Sequence, residues 1–311
     1  MTISPDFVGI DVSKSTLDIF DAAIGRAERI DNASAPIAAL LERWRGRNLF
    51  VLFEATGRYD RMLRMTLEEA SIAFARVNPQ RARDFARAAG FLAKTDAVDA
   101  KMLALMAERL RPRPEPKAQP WRERLGALHR RREQLVRMRA QERTRLSGAD
   151  QDEERDDVQS HIVWLTAQIK AFDARIRALI AEDRQTANLA ARLRTAPGIG
   201  PVAAATLLAL LPELGERSPK TIAALAGLAP INRDSGTMRG KRSIGGGRKP
   251  VRDALFIAAL AAKRFSPHYA AIYKAFIAAG KAKKLAIVAI ARKLLVALNA
   301  MVKNNADFKP A

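Results

Sequence analysis

The sequence predicts an α/β N-terminal domain, a helical coiled-coil hairpin and a mainly α C-terminal domain. Three observations support this fold class: strand-like and helix-like segments alternate through residue 110, four prolines fall within residues 111–120, and an apolar repeat runs through residues 158–179. Such alternation is typical of α/β domains, and a proline-rich run is typical of a semi-rigid spacer. We therefore expect domains at residues 1–110, 121–184 and 185–311, with a linker at 111–120.

The first domain is organised around the sequence FVGIDVSKSTLDIF, in which apolar runs flank a polar turn and predict a strand hairpin. Asp11 interrupts the first of these runs. Glu54 ends a second strand-like run, which is followed by the residues ATG. Amphipathic patterns predict helices over residues 36–47 and 61–70, and a further strand that Pro79 ends. Another helical stretch follows, so we expect four or five strands in all.

Four carboxylates of this domain form a candidate metal site. Besides Asp11 and Glu54, the residues Asp96 and Asp99 lie three positions apart in a helical pattern, which places both on one helix face. A ligand set made only of oxygens suits Mg²⁺, as in the two-metal sites of nucleases. Acid pairs at this spacing are also common on solvated helix faces, which is the plainer alternative for the helical pair.

The charge distribution indicates a polyanionic partner. The net charge is +21, and residues 190–311 contain 21 of the 54 basic residues but only 5 of the 33 acidic ones. A basic domain beside a nearly neutral one suggests that one part of the chain binds nucleic-acid phosphates while the other holds metal. The chain has no cysteine, which excludes disulfides, thiolate zinc sites and cysteine nucleophiles. No run of 18 apolar residues occurs, so we expect a cytoplasmic protein without membrane attachment.

A coiled-coil hairpin is predicted for the middle of the chain. In its second helix, apolar residues alternate spacings of four and three. They are Val158, Ile162, Leu165, Ile169, Phe172, Ile176 and Leu179. The preceding helix has apolar residues at Leu125, Leu128, Leu135 and Met138. The hairpin is either a contact between protomers or a plain two-helix surface arm.

Two motifs of the C-terminal domain predict phosphate binding. Helical runs flank Gly198 and Gly200 in a pattern similar to a helix-hairpin-helix, whose turn presents backbone N–H groups to a phosphate. A plain helical hairpin would give the same pattern. Residues 229–253 combine glycines with basic side chains and predict a flexible, phosphate-binding loop. The basic residues are Arg233, Arg239, Lys241, Arg242, Arg248, Lys249 and Arg252.

A serine within this loop is a candidate nucleophile. Ser235 precedes Gly236, and nearby arginines are suited to neutralising charge that develops on phosphorus. Ser243 is the rival candidate. A serine among arginines is more often a simple phosphate contact, so the spacing alone leaves both roles open. The remaining residues form alanine-rich helical patterns with Lys and Arg on their polar faces, which close a helical domain.

These motifs, in this order, resemble one family over nearly the whole chain, apart from the coiled coil. The first half contains GIDVSK, EATGRY and NPQRARDFARAAGFLAKTDAVDA, and the last third contains PGIGPVAAATLLA, RDSGTMRGKR and GGRKPVRDAL. The family comprises insertion-sequence transposases that pair a RuvC-like DEDD domain with a C-terminal serine-bearing transposase domain, also called bridge-RNA-guided recombinases.

The resemblance implies a RuvC-like (RNase H-like) N-terminal fold and a mechanism. The acids Asp11, Glu54, Asp96 and Asp99 would bind Mg²⁺, or alternatively Mn²⁺. Ser235 would attach covalently to a DNA end, and the serine of one protomer would act with the acids of another. This implies a homo-oligomer, a dimer that becomes a tetramer on DNA.

The resemblance also implies the partners: element donor DNA, target DNA and a structured non-coding guide RNA, at the nucleoid in the cytoplasm. Two other functions fit the residues. One is a metal-only, structure-selective endonuclease of the Holliday-junction-resolvase type. The other is a non-catalytic nucleic-acid scaffold.

Overall fold

The computed structural model describes residues 4–91, 96–117, 119–232, 235–236, 238, 240 and 242–309, without the side chains of residues 96 and 97. The chain divides into two compact units, Met1–Ala118 and Gln119–Ala311. The first unit combines a sheet with helices, whereas the second is mainly helical.

A five-stranded sheet with the order β3-β2-β1-β4-β5 forms the centre of the first unit. The strands are β1 (Asp6–Val12), β2 (Thr16–Asp21), β3 (Arg26–Asp31), β4 (Leu49–Glu54) and β5 (Ala73–Val77). The first three strands are antiparallel neighbours, whereas β4 runs parallel to β1 and β5 runs parallel to β4. The strand β3 was not predicted because this edge strand, RAERID, is polar and largely exposed, and so lacks an apolar run.

Helices cover both faces of this sheet. They are α1 (Ser34–Arg43), α2 (Arg61–Glu69), α3 (Pro79–Ala88) and α4 (Asp96–Leu110). On one face, Ile10 of β1 and Phe53 of β4 share a core with apolar residues of α1 and α2. On the other, Phe7 of β1 and Leu52 of β4 share a second core with α4. Successive strand residues therefore alternate between the α1–α2 face and the α4 face.

The proline-rich segment is fixed to the edge of the sheet. The backbone N–H of Glu115 donates to the carbonyl oxygen of Phe74 in β5 at 2.8 Å. The Glu115 carboxylate also accepts from Nε of Arg76, at 3.0 Å to each oxygen. Because β5 is an edge strand, its outer carbonyl groups are free to accept such a bond. The segment expected as a spacer is thus tied to the first unit at its middle.

Two long helices begin the second unit, α5 (Pro120–Leu146) and α6 (Asp152–Ala181). Arg132 pairs with Asp173 at 2.6 Å, and Glu142 lies 3.3 Å from His161, so the helices are antiparallel. Six of the seven repeat positions of α6 are buried, and the seventh, Phe172, is half-buried. On α5, Leu125 and Leu135 are buried, Leu128 is half-buried and Met138 is 37% exposed.

The rest of the second unit consists of six helices and a small hairpin within its described part. The helices are α7 (Arg184–Arg194), α8 (Pro201–Leu210), α9 (Pro219–Leu225), α10 (Lys249–Phe265), α11 (Pro267–Ala278) and α12 (Lys283–Lys303). The strands β6 (Pro230–Ile231) and β7 (Ser243–Ile244) pair antiparallel. By length and apolar composition alone α12 is a candidate membrane span, but half of its most apolar window is buried within this unit. Such burial is typical of a core helix.

The expectation of a loop over residues 229–253 was wrong in part. The strands β6 and β7 lie within it, and α10 already begins at Lys249. Pro250 occupies the first turn of α10, where proline is favoured because its missing N–H would have no helical partner. A proline shortly after the glycines therefore marked a helix start and not further loop.

Candidate functional site

Asp11 and Glu54 lie at the carboxyl ends of neighbouring parallel strands. The register of β1 and β4 places Ile10 opposite Phe53, and the two acids are the next residues along each strand. Because Ile10 and Phe53 pack on the α1–α2 face, the two acids face α4. Both are half-buried. In open α/β sheets this edge is where ligands bind.

Helix α4 crosses the same face of the sheet in very close contact with β1. A Cβ atom on Gly9 would lie 2.0 Å from the carbonyl oxygen of Ala100 and 2.4 Å from the backbone nitrogen of Ala104. Only glycine permits this approach. Asp11 lies two residues after Gly9, and Asp99 directly precedes Ala100 and is half-buried. Asp96 is the first residue of α4, and its side chain lies outside the described part of the chain.

The donor chemistry of these residues fits a hard divalent cation. Asp11, Glu54 and Asp99 offer only carboxylate oxygens, which are the ligands that Mg²⁺ and Mn²⁺ prefer. Among the side chains that the structure describes, no three acidic or imidazole groups lie close enough to hold one metal ion. Asp11 and Glu54 thus lie at one edge of the sheet and face α4, the helix that carries Asp99. The three acids do not form a compact ligand cluster.

A further acid, Asp18, faces Asp11 across the hairpin. The two residues are register partners on β1 and β2. The Asp18 side chain is buried and accepts a hydrogen bond from Nε of Arg29 at 2.8 Å. Like charges directly opposite in a sheet are unfavourable, and Arg29 offsets part of that cost. Asp18 was not among the predicted site residues. The short turn between the two strands sets this register and was the signal that could have identified it.

A buried ion-pair network supports the turn that follows Glu54. Asp60, at the N-terminus of α2, is 1% exposed, and its Oδ2 lies 3.7 Å from Nη1 of Arg76. Burial raises the pKa of Asp60, while the charges of Arg76 and Arg64 act in the opposite direction. Arg76 also binds Glu115. The network joins the turn, β5 and the proline-rich segment on the α1–α2 side of the sheet.

Ser235 is exposed at the start of a tight turn between β6 and β7. Its backbone N–H donates to the carbonyl oxygen of Met238 at 3.1 Å, and the reverse bond measures 3.0 Å. Gly236 has a φ of +55°, which favours glycine within such a turn. Ser243, the rival candidate, is also exposed and lies in β7 opposite Ile231. Both candidate serines are therefore exposed residues of the same hairpin.

The basic residues around this hairpin differ in their partners. Arg242 is exposed. Arg248 forms a two-pronged ion pair with Glu213, with N–O distances of 2.5 and 2.7 Å. Lys249 pairs with Asp253, one turn further along α10, at 2.5 Å.

Arg252 donates to the carbonyl oxygen of Gly246 at 2.7 Å and so holds the end of the glycine-rich segment. Of the basic residues expected to contact phosphate, Arg248, Lys249 and Arg252 thus bind groups of the same unit. Three others, Arg233, Arg239 and Lys241, lie outside the described residues.

The glycine turn between α7 and α8 has a packing role. Gly198 has a φ of +80°, and a Cβ atom there would lie 2.1 Å from the carbonyl oxygen of Ala258 in α10. Helix packing alone therefore requires glycine at this position. Gly200 has open space around it and directly precedes Pro201, the first residue of α8. This leaves the turn backbone at Gly200 as the part open to an anion.

Comparison with known proteins finds two family models on this chain. Residues 8–149 match a DEDD model of the IS110 type, described as a transposase. Residues 190–274 match the model described as "Transposase IS116/IS110/IS902 family". The first segment includes the four acids of the candidate metal site, and the second includes Ser235.

Several known proteins are similar to it. The "Pilin gene-inverting protein" of Moraxella bovis is 31% identical over 326 residues, which cover 98% of each chain. Its namesake in Moraxella lacunata is similar to the same extent. The "Insertion element IS110 uncharacterized 43.6 kDa protein" of Streptomyces coelicolor is 30% identical over 153 residues, which cover 48% of this chain and 36% of that protein.

Proposed function

This chain belongs to the IS116/IS110/IS902 family of transposases and is a DNA recombinase, and we propose that it cleaves and rejoins DNA through Ser235 with the help of a divalent metal ion. The proposed metal ligands are Asp11, Glu54, Asp96 and Asp99. The observation that supports this most is the position of Asp11 and Glu54, at the ends of adjacent parallel strands and facing the helix that begins at Asp96.

We further infer that the first unit has a RuvC-like (RNase H-like) fold. The sheet order β3-β2-β1-β4-β5, with three antiparallel strands followed by two parallel ones, supports this fold. The match to a DEDD model supports the use of a divalent metal. Mg²⁺ is our first choice and Mn²⁺ the second, since both prefer carboxylate oxygens.

The serine step conserves the energy of the phosphodiester bond. The Ser235 oxygen attacks phosphorus, a serine–phosphate bond forms and the bond to one deoxyribose oxygen breaks. The serine hydroxyl loses its proton and the departing oxygen gains one. The reverse step, with the hydroxyl of a new strand, frees the serine and rejoins DNA. When bound, a metal ion would neutralise charge on the reacting phosphate. The exposure of Ser235 on its turn supports access by DNA.

The proposed partners follow from the charge of the second unit and from the family. Donor and target DNA would bind the basic surface of the second unit, and a structured non-coding RNA from the element would select both by base pairing. A homodimer would assemble into a tetramer on DNA, close to the nucleoid in the cytoplasm. The name of the Moraxella relatives describes inversion of a pilin gene. We therefore include inversion of a DNA segment among the proposed reactions.

A covalent-adduct assay tests the proposed role of Ser235. Purified protein is incubated with Mg²⁺ and element-junction DNA, with and without RNA from the element flanks, and then denatured. We expect an adduct that resists denaturation and that Ser235→Ala abolishes. Ser243→Ala is the matched control, because Ser243 is also exposed on the same hairpin, and it should keep the adduct. An adduct that survives Ser235→Ala would refute the serine mechanism.

The same assay tests the metal site. Asp11→Asn removes one proposed ligand but no basic side chain, so cleavage should be lost while DNA binding persists. Glu28→Gln is the control, since Glu28 lies on the edge strand β3 and pairs with Arg43 at 2.6 Å. It should cleave normally. Loss of DNA binding in Asp11→Asn would contradict the proposal that the first unit holds the metal ion and the second unit binds DNA.

A metal-only endonuclease is the second candidate function, and the match to the DEDD model favours it over a non-catalytic scaffold. It predicts metal-dependent cleavage that leaves free DNA ends and no protein adduct. Ser235→Ala would then weaken DNA binding slightly without preventing cleavage. A scaffold would instead bind DNA without cutting it, with or without metal.

A further inference from the structure

A groove of about 650 Å³ lies in the second unit between α11, α12 and the chain after α12. We call it the tail groove. Ala289, Val296, Ala297 and Ala300 line it from the outward side of α12. The tail itself is held in place, because the backbone N–H of Phe308 donates to Oγ1 of Thr195 at 2.9 Å.

One end of the tail groove is aromatic. The ring of Phe308 stacks on that of Tyr269, with centroids 6.2 Å apart and an interplanar angle of 28°. His268 meets Tyr269 edge-on at 5.0 Å. All three side chains line the groove, and both His268 and Phe308 keep part of their surface exposed. Such partly open rings are the platforms on which unpaired bases stack.

The hydroxyl of Tyr269 adds a polar group to this end. Tyr269 is only 2% exposed, and burial raises its pKa to about 12. No residue within the described part of the chain is a hydrogen-bond partner of this hydroxyl. The hydroxyl can therefore pair with a ligand oxygen or nitrogen that enters the groove.

The rim of the groove is cationic. Arg292, Lys293 and Lys309 line it, and none of the described lining residues is acidic. Asp307, the acid in the adjoining tail, lies 3.8 Å from Arg192, which is not a lining residue. The groove therefore fits an anion that also carries a flat apolar group. A nucleotide has both parts, a phosphate and a base.

We propose that the tail groove binds an unpaired nucleotide of DNA or RNA, with its base against Phe308 and His268 and its phosphate at Arg292, Lys293 and Lys309. A base must leave its stack to meet an aromatic side chain, so the ligand is a single strand and not a duplex. Strand exchange by a recombinase produces such unpaired nucleotides. The proposal depends on the family's activity on DNA and not on Ser235 or the metal site.

Binding to labelled oligonucleotides of about ten nucleotides tests the cationic rim. Oligothymidylate, oligouridylate and a DNA duplex are titrated against the full chain without metal ions. The double variant Arg292→Ala, Lys293→Ala should bind both single strands about tenfold more weakly. Lys283→Ala, Lys284→Ala is the matched control, because it removes equal charge from the exposed first turn of the same helix. It should change binding about twofold or less.

The base contact has its own test. Phe308→Ala should weaken single-strand binding about fivefold or more and leave duplex binding unchanged. An abasic oligonucleotide should bind the wild-type chain as weakly as oligothymidylate binds Phe308→Ala. Phe308→Leu keeps apolar packing but has no flat ring. If Phe308→Ala lowers the melting temperature, Phe308→Leu shows whether binding is lost through the missing ring or through unfolding. Tighter binding of oligouridylate would indicate that the bound nucleotide belongs to RNA, and tighter binding of oligothymidylate that it belongs to DNA.

Three outcomes would overturn the proposal. One is equal weakening in the groove variant and in its matched control. Another is unchanged single-strand binding in a folded Phe308→Ala or Phe308→Leu chain. The third is loss of self-association in those variants with oligonucleotide binding intact, which would assign the groove to a second copy of the chain. Because no metal or cleavage is involved, these results are independent of the serine mechanism.

Discussion

Gly9 of β1 and Ala100 of α4 touch backbone to backbone, since a Cβ atom on Gly9 would lie 2.0 Å from the Ala100 carbonyl oxygen. The contact has a consequence for the proposed metal site. Asp11 follows Gly9 by two residues and Asp99 precedes Ala100 by one. One close approach therefore sets the distance between a strand acid and a helix acid.

Replacing Gly9 with alanine should disturb both stability and cleavage. The added methyl group forces α4 away from the sheet, and we expect the free energy of unfolding to fall by about 1–3 kcal/mol. DNA cleavage should fall further, because Asp99 moves with α4. Urea unfolding and the cleavage assay measure the two effects. In the control Gly148→Ala, the new Cβ would lie 3.7 Å from its nearest neighbour, an ordinary contact. Wild-type cleavage by Gly9→Ala would contradict this role of Gly9.

The ion pair between Glu213 and Arg248 should make stability depend on pH. Burial by itself would raise the pKa of Glu213, but hydrogen bonds and charge from Arg248 outweigh burial and hold it below the ordinary value of 4.5. A carboxylate with a lowered folded-state pKa stabilises the fold above its unfolded pKa. The contribution is therefore complete above about pH 4.5 and is lost as pH falls through the folded-state pKa.

The variant Glu213→Gln isolates this contribution. At pH 7 it should lower the free energy of unfolding by about 1 kcal/mol, a modest value because solvent reaches part of the pair. Below pH 4.5 its difference from the wild-type chain should shrink. Urea unfolding at a series of pH values measures both effects. A difference that stays constant down to acid pH would show that the pair contributes by packing and not by charge.

Residues of the β6–β7 hairpin should control the salt dependence of DNA binding. Arg239→Ala, Arg242→Ala should reduce the slope of log binding constant against log salt concentration by about 0.9 for each lost phosphate contact. Binding isotherms on duplex DNA at several salt concentrations give the slope. Lys220→Ala, on the exposed start of α9, serves as the control. If the wild-type chain, the double variant and Lys220→Ala all give the same slope, Arg239 and Arg242 do not contact the DNA backbone.

The coiled-coil hairpin has two surfaces with separate expected roles. Ile169 is 4% exposed in the seam between α5 and α6, so Ile169→Asp should cost about 3 kcal/mol or more. Trp164 is 50% exposed on the outer face, so Trp164→Asp should keep its melting temperature. If the outer face joins protomers, Trp164→Asp lowers the solution mass. An unchanged mass would leave the hairpin as a plain surface arm.

Local patterns predicted the elements of this fold better than the contacts between them. The α6 repeat and the strand that ends at Glu54 were predictable because apolar periodicity is a property of neighbouring residues. β3 was not, because an exposed edge strand needs few apolar side chains. The start of α10 was misjudged because Pro250, a residue typical of a first helical turn, follows a run of three glycines at a distance of three residues.

In the candidate sites, too, the position of a residue in its strand or helix was easier to predict than its contacts. The strand positions of Asp11 and Glu54 followed from interrupted apolar runs, and the register then aligned the two acids. Gly198 was predicted to bind phosphate, but in the structure it packs tightly against Ala258, which lies 60 positions later in the sequence. No local pattern reveals such a contact. Arg248 was assigned to phosphate for the same reason, since its partner Glu213 is equally invisible in the sequence.

Helix α12 determines the order in which the second unit can fold during synthesis. Eight apolar side chains and Asn299 of α12 are buried, and its neighbours include α7, α9, α10 and α11. The ribosome releases α12 after all of these helices, so their shared core stays open until residues 283–303 have emerged. The first unit has its own cores and needs no later segment. Nascent chains should therefore carry a folded first unit before a folded second one, and a chain that ends before Lys283 should be a substrate for proteases.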